Sequence, residues 1–131
     1  MIPAVFINCK HDPFIREIMN HNKLYETRTR NTLRRFRGKR IILAETGNGR
    51  PVARCTAVID QIIKVYTRSA WTTYFPHLGI AFDSKYDWKP CTKYKYLYHL
   101  TDVRPIERPF VLPEDRRHGH VWMEYHGEEV I

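Results

Sequence analysis

Lys23-Leu24-Tyr25-Glu26-Thr27-Arg28-Thr29-Arg30-Asn31-Thr32, followed after four intervening residues by Arg37-Gly38-Lys39-Arg40-Ile41-Ile42, is the stretch on which the reading of this chain turns. Residues 24–30 read as extended backbone, with Tyr25 and Thr27 alternating against Glu26 and Arg28. Thr29-Arg30-Asn31-Thr32 is turn-prone. Residues 39–46 contain Ile41-Ile42-Leu43 and predict a buried strand, and Gly47-Asn48-Gly49 is a hairpin turn signal. Residues 52–66 then read as one long strand or two, with Ala53, Cys55, Ala57 and Ile59 alternating with Arg54 and Thr56. Upstream, residues 4–8 predict an opening strand. Asp12-Pro13 predicts a helix start, with Asp as the cap and Pro at the first helical position. Phe14, Ile15, Ile18 and Met19 share a helical face, and Asn20-His21-Asn22 ends that helix.

Downstream, residues 69–75 predict a second short helix before Pro76, and residues 77–92 an irregular excursion. Residues 94–100 are strongly β-like. Residues 102–110 contain prolines that suit an edge strand. Residues 113–119 read as a polar loop, and residues 120–125 as a last strand centred on Trp122. The expectation is one α+β domain, mainly β: a small barrel of about six strands with a short N-terminal helix and one further short helix.

The chain has 131 residues, one domain's worth, with 43% hydrophobic and 27% charged residues, an ordinary globular mix. No apolar run reaches membrane-spanning length, and no signal-peptide pattern opens the chain. The expectation is a soluble, cytoplasmic protein without a membrane partner. Cys9, Cys55 and Cys91 are widely spaced and form no Cys-x-x-Cys pair, which argues against a disulfide framework. Cys9-x-His11 and His118-x-His120 are short pairs without zinc spacing, so no metal and no cofactor is expected. Cys91 with His77 or His99 is a weak nucleophile candidate.

Charge is more informative. Lys and Arg number 22 against 14 Asp and Glu, for a net charge of +8. From Lys23 to Arg40 there are eight cations (Lys23, Arg28, Arg30, Arg34, Arg35, Arg37, Lys39, Arg40) against Glu26 alone, so this segment carries +7. Such a concentration fits either a solvated loop or a landing site for phosphates, and its richness in Arg favours the second.

In order and content, the stretch from Lys23 to Ile42 resembles the ASCH domain, a family of the PUA-like superfamily. The pattern is a short helix, then Lys-x-x-Glu-x-Arg on a strand, then Arg-Gly ahead of an apolar strand. Tyr96-Leu97-Tyr98-His99-Leu100-Thr101-Asp102-Val103 looks like the family's late strand pair, and Val121-Trp122-Met123 like its closing strand. The resemblance implies a barrel with a cleft between the helix and the Glu-x-Arg strand, and association with RNA or a modified nucleoside. One branch of the family hydrolyses the acetyl amide of N-acetylated cytidine with a Lys, a Thr and a Glu, and ribonuclease activity is also associated with the family. Lys23 matches that lysine, but Glu26 stands where the branch has Thr, so the reaction is not transferred.

The residues support two chemistries. Glu26 and Arg28 share a strand face. Together they read as a structural ion pair or as a site in which the carboxylate meets a base amino group and the guanidinium a phosphate. Tyr25 and Thr27 are then expected in the core. Lys23 reads as an exposed lysine in a basic patch, or as a base or nucleophile whose pKa burial and neighbouring cations depress. Arg30, Asn31 and Thr32 form a candidate phosphate-gripping turn. Arg34, Arg35, Arg37 and Lys39 are candidate backbone contacts. Trp71, Tyr74, Trp88 and Tyr94 are core residues or stacking platforms, while Trp122 is expected in the core. The leading expectation is a module binding RNA, another nucleic acid or a nucleotide-like molecule. The alternatives are a small hydrolase acting on a modified nucleoside or RNA through Lys23 and Glu26, and a domain whose arginines meet an acidic protein. The oligomeric state is not legible in the sequence.

Overall fold

The computed structural model describes residues 1–113 and 121–129. His118 and His120 and most of the polar loop expected over residues 113–119 lie outside the described residues. The elements are β1 (Ile2–Asn8), α1 (Phe14–Met19), β2 (Tyr25–Arg28), β3 (Arg40–Thr46), β4 (Val52–Val65), α2 (Arg68–Tyr74), β5 (Lys95–Val111) and β6 (Trp122–Tyr125). The six strands form one mixed sheet in the order β2-β5-β4-β3-β1-β6, in which β1 and β3 run parallel and the other neighbours antiparallel. Among the described residues no helix is long and apolar enough to cross a membrane.

The mainly β architecture with two short helices agrees with expectation, but the barrel is not closed. β2 and β6 end the sheet on opposite sides and do not pair with each other among the described residues. β2 has only four residues and pairs with β5 alone among the described residues, so no backbone ladder joins it to β1. Instead one side chain crosses it: Arg28 Nη2 donates to the Phe6 carbonyl of β1 at 3.0 Å. The sheet bends toward closure because β4 carries irregularities between Ala53 and Cys55, Thr56 and Val58, and Ile59 and Gln61, and such bulges increase local twist.

The two strands expected over residues 94–100 and 102–110 are one continuous strand, β5, which starts at Lys95 and leaves Tyr94 outside it. They read as two because residues 102–110 alternate poorly and carry Pro105 and Pro109; in the structure Asp102, with φ 47°, marks the irregular point between them. The edge character expected from Pro105 and Pro109 is real on one side: β2 pairs only with Tyr96–His99, and beyond them β5 pairs with β4 alone among the described residues. Asp102 is held there by Arg40 and Arg104.

Each sheet face has its own cover. Ile15, Ile18 and Phe14 of α1 pack with Val5, Ile7, Leu43, Ile59, Tyr98 and Leu100. Six residues cannot hold a helix in water by propensity, so this burial fixes α1. The Asp12 side chain does not cap the helix; its backbone carbonyl accepts from Phe14 N at 2.9 Å instead. On the other face, Val65, Leu97, Leu78 and Trp88 surround Trp71 of α2. Thr67, just before the expected start, caps α2 by accepting from Ala70 N at 3.1 Å.

The basic turn after β2 is tied to the sheet by Tyr98. Its hydroxyl donates toward Asn31 Oδ1 at 2.9 Å and the Arg30 carbonyl at 3.2 Å, and accepts from Leu33 N at 3.4 Å.

Candidate functional site

The unclosed seam between β2 and β1 is a cleft of ≈ 260 Å3, lined in part by Phe6, Asn8, Phe14, Lys23, Glu26, Arg28, Thr46, Ile80 and Tyr86. A strand pair with all its backbone groups bonded offers a ligand nothing; here β1 runs past β6 and faces β2 with side chains between. Glu26 is 8% exposed. Its Oε2 accepts from Arg28 Nη2 at 3.0 Å and its Oε1 from Thr27 N at 3.1 Å. Arg28 and Glu26 do share a face, but that face is the buried one. Tyr25 and Thr27, expected in the core, are only half-buried. Tyr25 packs instead on the Tyr74 and His99 rings.

Lys23 is 1% exposed, not a surface lysine. Its Nζ donates to the Leu78 carbonyl at 2.6 Å, stands 3.9 Å from Glu26 Oε1 and lies 4.9 Å from the Phe14 ring centroid. Burial pushes its pKa below the ordinary lysine value; Glu26 opposes this and Arg28 adds to it. Burial, rather than the run of cations expected to act on it, is the main cause.

A loop over residues 78–87 covers one side of the cleft and brings Ile80 and Tyr86 to it. Two buried lysines hold its ends. Lys23 takes the Leu78 carbonyl, and Lys95 Nζ donates to the carbonyls of Tyr86 and Asp87. Burial lowers the Lys95 pKa. The Asp87 carboxylate accepts from Trp71 Nε1 at 2.8 Å, Asp83 N at 2.7 Å and Trp88 N at 2.7 Å. Burial raises the Asp87 pKa, but these hydrogen bonds outweigh it and the carboxyl lies below its ordinary value.

The structure thus divides the expected site residues. Lys23, Glu26 and Arg28 meet in the cleft. Arg30, Arg34, Arg35, Arg37 and Lys39 are exposed outside it, with Asn31 and Thr32 half-buried beside them. Arg35 lies over the half-buried ring of Trp122, 5.2 Å from its centroid. Arg40 is bound to Asp102 and Thr56. Trp71 and Trp88 are buried under α2, and Tyr74 packs on Tyr25, so none of these three lines the cleft. The aromatic wall is Phe14 and Tyr86, whose rings meet edge to face at 5.2 Å. Phe14 was legible only as a helix-face residue. Tyr86 left no local signal, because a contact 55 residues apart in sequence places its loop. Among the described residues no group of three His, Cys, Asp or Glu is placed to hold a metal. Cys55 is buried, and burial raises its thiol pKa to about 12.

Comparison of the sequence with family profiles and with curated proteins finds no match. Comparison of the structure does. The crystal structure of an ASCH protein from Zymomonas mobilis superposes with a TM-score of 0.75 at 19% identity, covering 97% of this chain and 89% of that one. Crystal structures of two single-residue variants of that protein superpose with TM-scores of 0.74 and 0.75, also at 19% identity. The chain has the ASCH fold.

Proposed function

We infer that this protein is an ASCH-like module that binds RNA, or another nucleic acid, by taking one unpaired base into the cleft. The observation that carries this reading is the Glu26–Arg28 pair, held in a cleft of single-base dimensions that opens beside five exposed cations. A carboxylate fixed by Arg28 and by a backbone N–H still has lone pairs to accept from a base amino group, as in carboxylate recognition of cytosine. Tyr86 offers a ring to stack on. Arg30, Arg35 and Lys39 supply the sequence-independent attraction for flanking phosphates. The ASCH fold supports the reading by likeness of architecture only.

The test is a fluorescence-anisotropy titration with single-stranded RNA, duplex RNA and single-stranded DNA at low and moderate salt. Single-stranded RNA is expected to bind most tightly and to weaken as salt rises. Tyr86→Ala and Glu26→Gln should weaken it with folding intact, and Arg30→Ala/Arg35→Ala should flatten the salt dependence. No salt-sensitive binding to any of the three at micromolar protein overturns the proposal.

A second reading rests on Lys23, a lysine of depressed pKa beside a carboxylate in a cleft, which is the signature of an acid–base pair. In that reading the protein is a hydrolase of a modified nucleoside or RNA, with the neutral amine taking a proton from the attacking water. Turnover of acylated nucleosides or RNA that is lost in Lys23→Ala would favour it. The bond from Nζ to the Leu78 carbonyl favours a holding role instead.

A further inference from the structure

Arg34 and Arg37 do not stand on a flat surface. With Asn31, Ile62, Lys64 and Tyr96 they line a shallow cup of ≈ 480 Å3. Three of these six side chains are cationic and none is acidic. Arg34, Arg37 and Lys64 are exposed, and no ion pair among the described residues engages them. One wall is tyrosine. Lys64 Nζ lies 4.2 Å from the ring centroid of Tyr94, 5.1 Å from that of Tyr66 and 5.5 Å from that of Tyr96. The rings confine the ammonium as a fixed charge, while Tyr66 and Tyr94 remain exposed.

Register ties the cup to the cleft. Arg28, whose guanidinium lines the cleft, is opposite Tyr96 across β2 and β5, and Tyr96 is opposite Lys64 across β5 and β4. Neighbouring strands are ~4.8 Å apart, so Arg28 of the cleft and Lys64 of the cup stand two strand spacings, roughly 10 Å, apart on one sheet face, within reach of one strand of nucleic acid. Arg30, in the short connection from Arg28 to Asn31, is exposed.

We propose that the cup of Arg34, Arg37, Lys64 and Tyr96 is a second nucleotide subsite, holding the phosphate next to the base in the cleft while the adjoining base stacks on Tyr94 or Tyr66. This rests on the cleft reading above. Its ligand is single-stranded, because in a duplex the bases are stacked and paired away from the tyrosines.

The test compares cytidine, which carries no phosphate, with a single-stranded RNA of about ten nucleotides, for the wild type and an Arg34→Ala/Arg37→Ala/Lys64→Ala variant. The wild type is expected to bind the oligonucleotide more tightly. The variant should lose about tenfold or more for the oligonucleotide, and its plot of log K against log salt should flatten by about 0.7, the share of one neutralised phosphate on a single strand. Its affinity for the nucleoside should stay within about twofold. Tyr94→Ser, which keeps every charge, should weaken the oligonucleotide about fivefold or more with the salt dependence unchanged, and it provides the answer if the triple variant does not fold. Equal losses for both ligands, no loss for the oligonucleotide, or a wild type that binds both equally would each overturn the subsite while leaving the cleft reading standing. A wild type that binds neither overturns both.

Discussion

Gly79 lies directly against the Lys23 side chain: a β-carbon added to the glycine would stand 2.7 Å from Lys23 Cβ. Gly79 also has φ 63°, a conformation that a residue with a β-carbon adopts at a cost. The two demands coincide because the loop must pass close enough for Lys23 to reach the Leu78 carbonyl. Gly79→Ala should therefore destabilise the protein by about 1–3 kcal/mol. Gly38, with φ 77° and nothing within 4 Å of an added β-carbon, is the control: Gly38→Ala meets the backbone strain without the collision. Urea unfolding should show the larger loss at Gly79, and equal losses would mean that the contact with Lys23 is soft.

The buried lysine makes stability depend on pH in a defined direction. The folded protein holds the Lys23 proton less tightly than the unfolded chain, because burial penalises the ammonium. The charged form therefore costs stability near neutrality, and this cost fades as pH rises through the folded value toward the ordinary 10.5. The stability of the wild type minus that of Lys23→Met should rise with pH in this window, by at most about 1.4 kcal/mol per pH unit. Lys95 is shifted the same way and Cys55 upward, but both are common to the two proteins and largely cancel in the difference. A flat or falling difference in unfolding experiments would contradict the assignment.

Glu26 offsets two cations, so its removal should be felt through both. Glu26→Gln keeps an acceptor for Thr27 N but leaves Arg28 and Lys23 facing each other without a carboxylate. A loss of about 1–3 kcal/mol is expected. In a Lys23→Met background the same change should cost at least ~0.5 kcal/mol less. A double-mutant cycle by chemical denaturation measures the coupling, and strict additivity would mean that the 3.9 Å approach carries no energy.

The three thiols should react with a disulfide reagent in the order Cys91, Cys9, Cys55. Cys91 is exposed and Cys9 half-buried with a raised pKa, while Cys55 is fully buried with its pKa pushed up to about 12. Reactivity follows the accessible thiolate. Mass spectrometry of the native protein should find Cys55 unlabelled until the protein unfolds; early labelling there would place β4 less deeply than its packing indicates.

The strands, the two helices and the hairpin at Gly47–Gly49 were legible because each rests on local periodicity or turn chemistry. The open seam was not, since whether a sheet closes depends on the length of β2 and on bulges in β4 that no local pattern announces. Within the site, the spacing of Glu26 and Arg28 is enough to put them on one strand face, but the matching expectation that Tyr25 and Thr27 form the core does not hold: they are half-buried while Glu26 is buried. Alternation fails there because the fold buries charge in a cleft, which is where sequence and packing are expected to disagree. Trp71 and Trp88 stand out in composition and are core, while Tyr86 reaches the cleft through a loop fixed at one end by the sequence-distant Lys23 and at the other by the nearby Lys95.

The Tyr98 hydroxyl sets where the cost of ordering the outer arginines falls. By bonding to Arg30, Asn31 and Leu33 from inside the sheet, it restricts the backbone that carries them as soon as the chain folds. On the proposed reading, much of the entropy of arranging those charges is then lost in folding rather than in binding, which would leave more of each phosphate contact to appear as affinity.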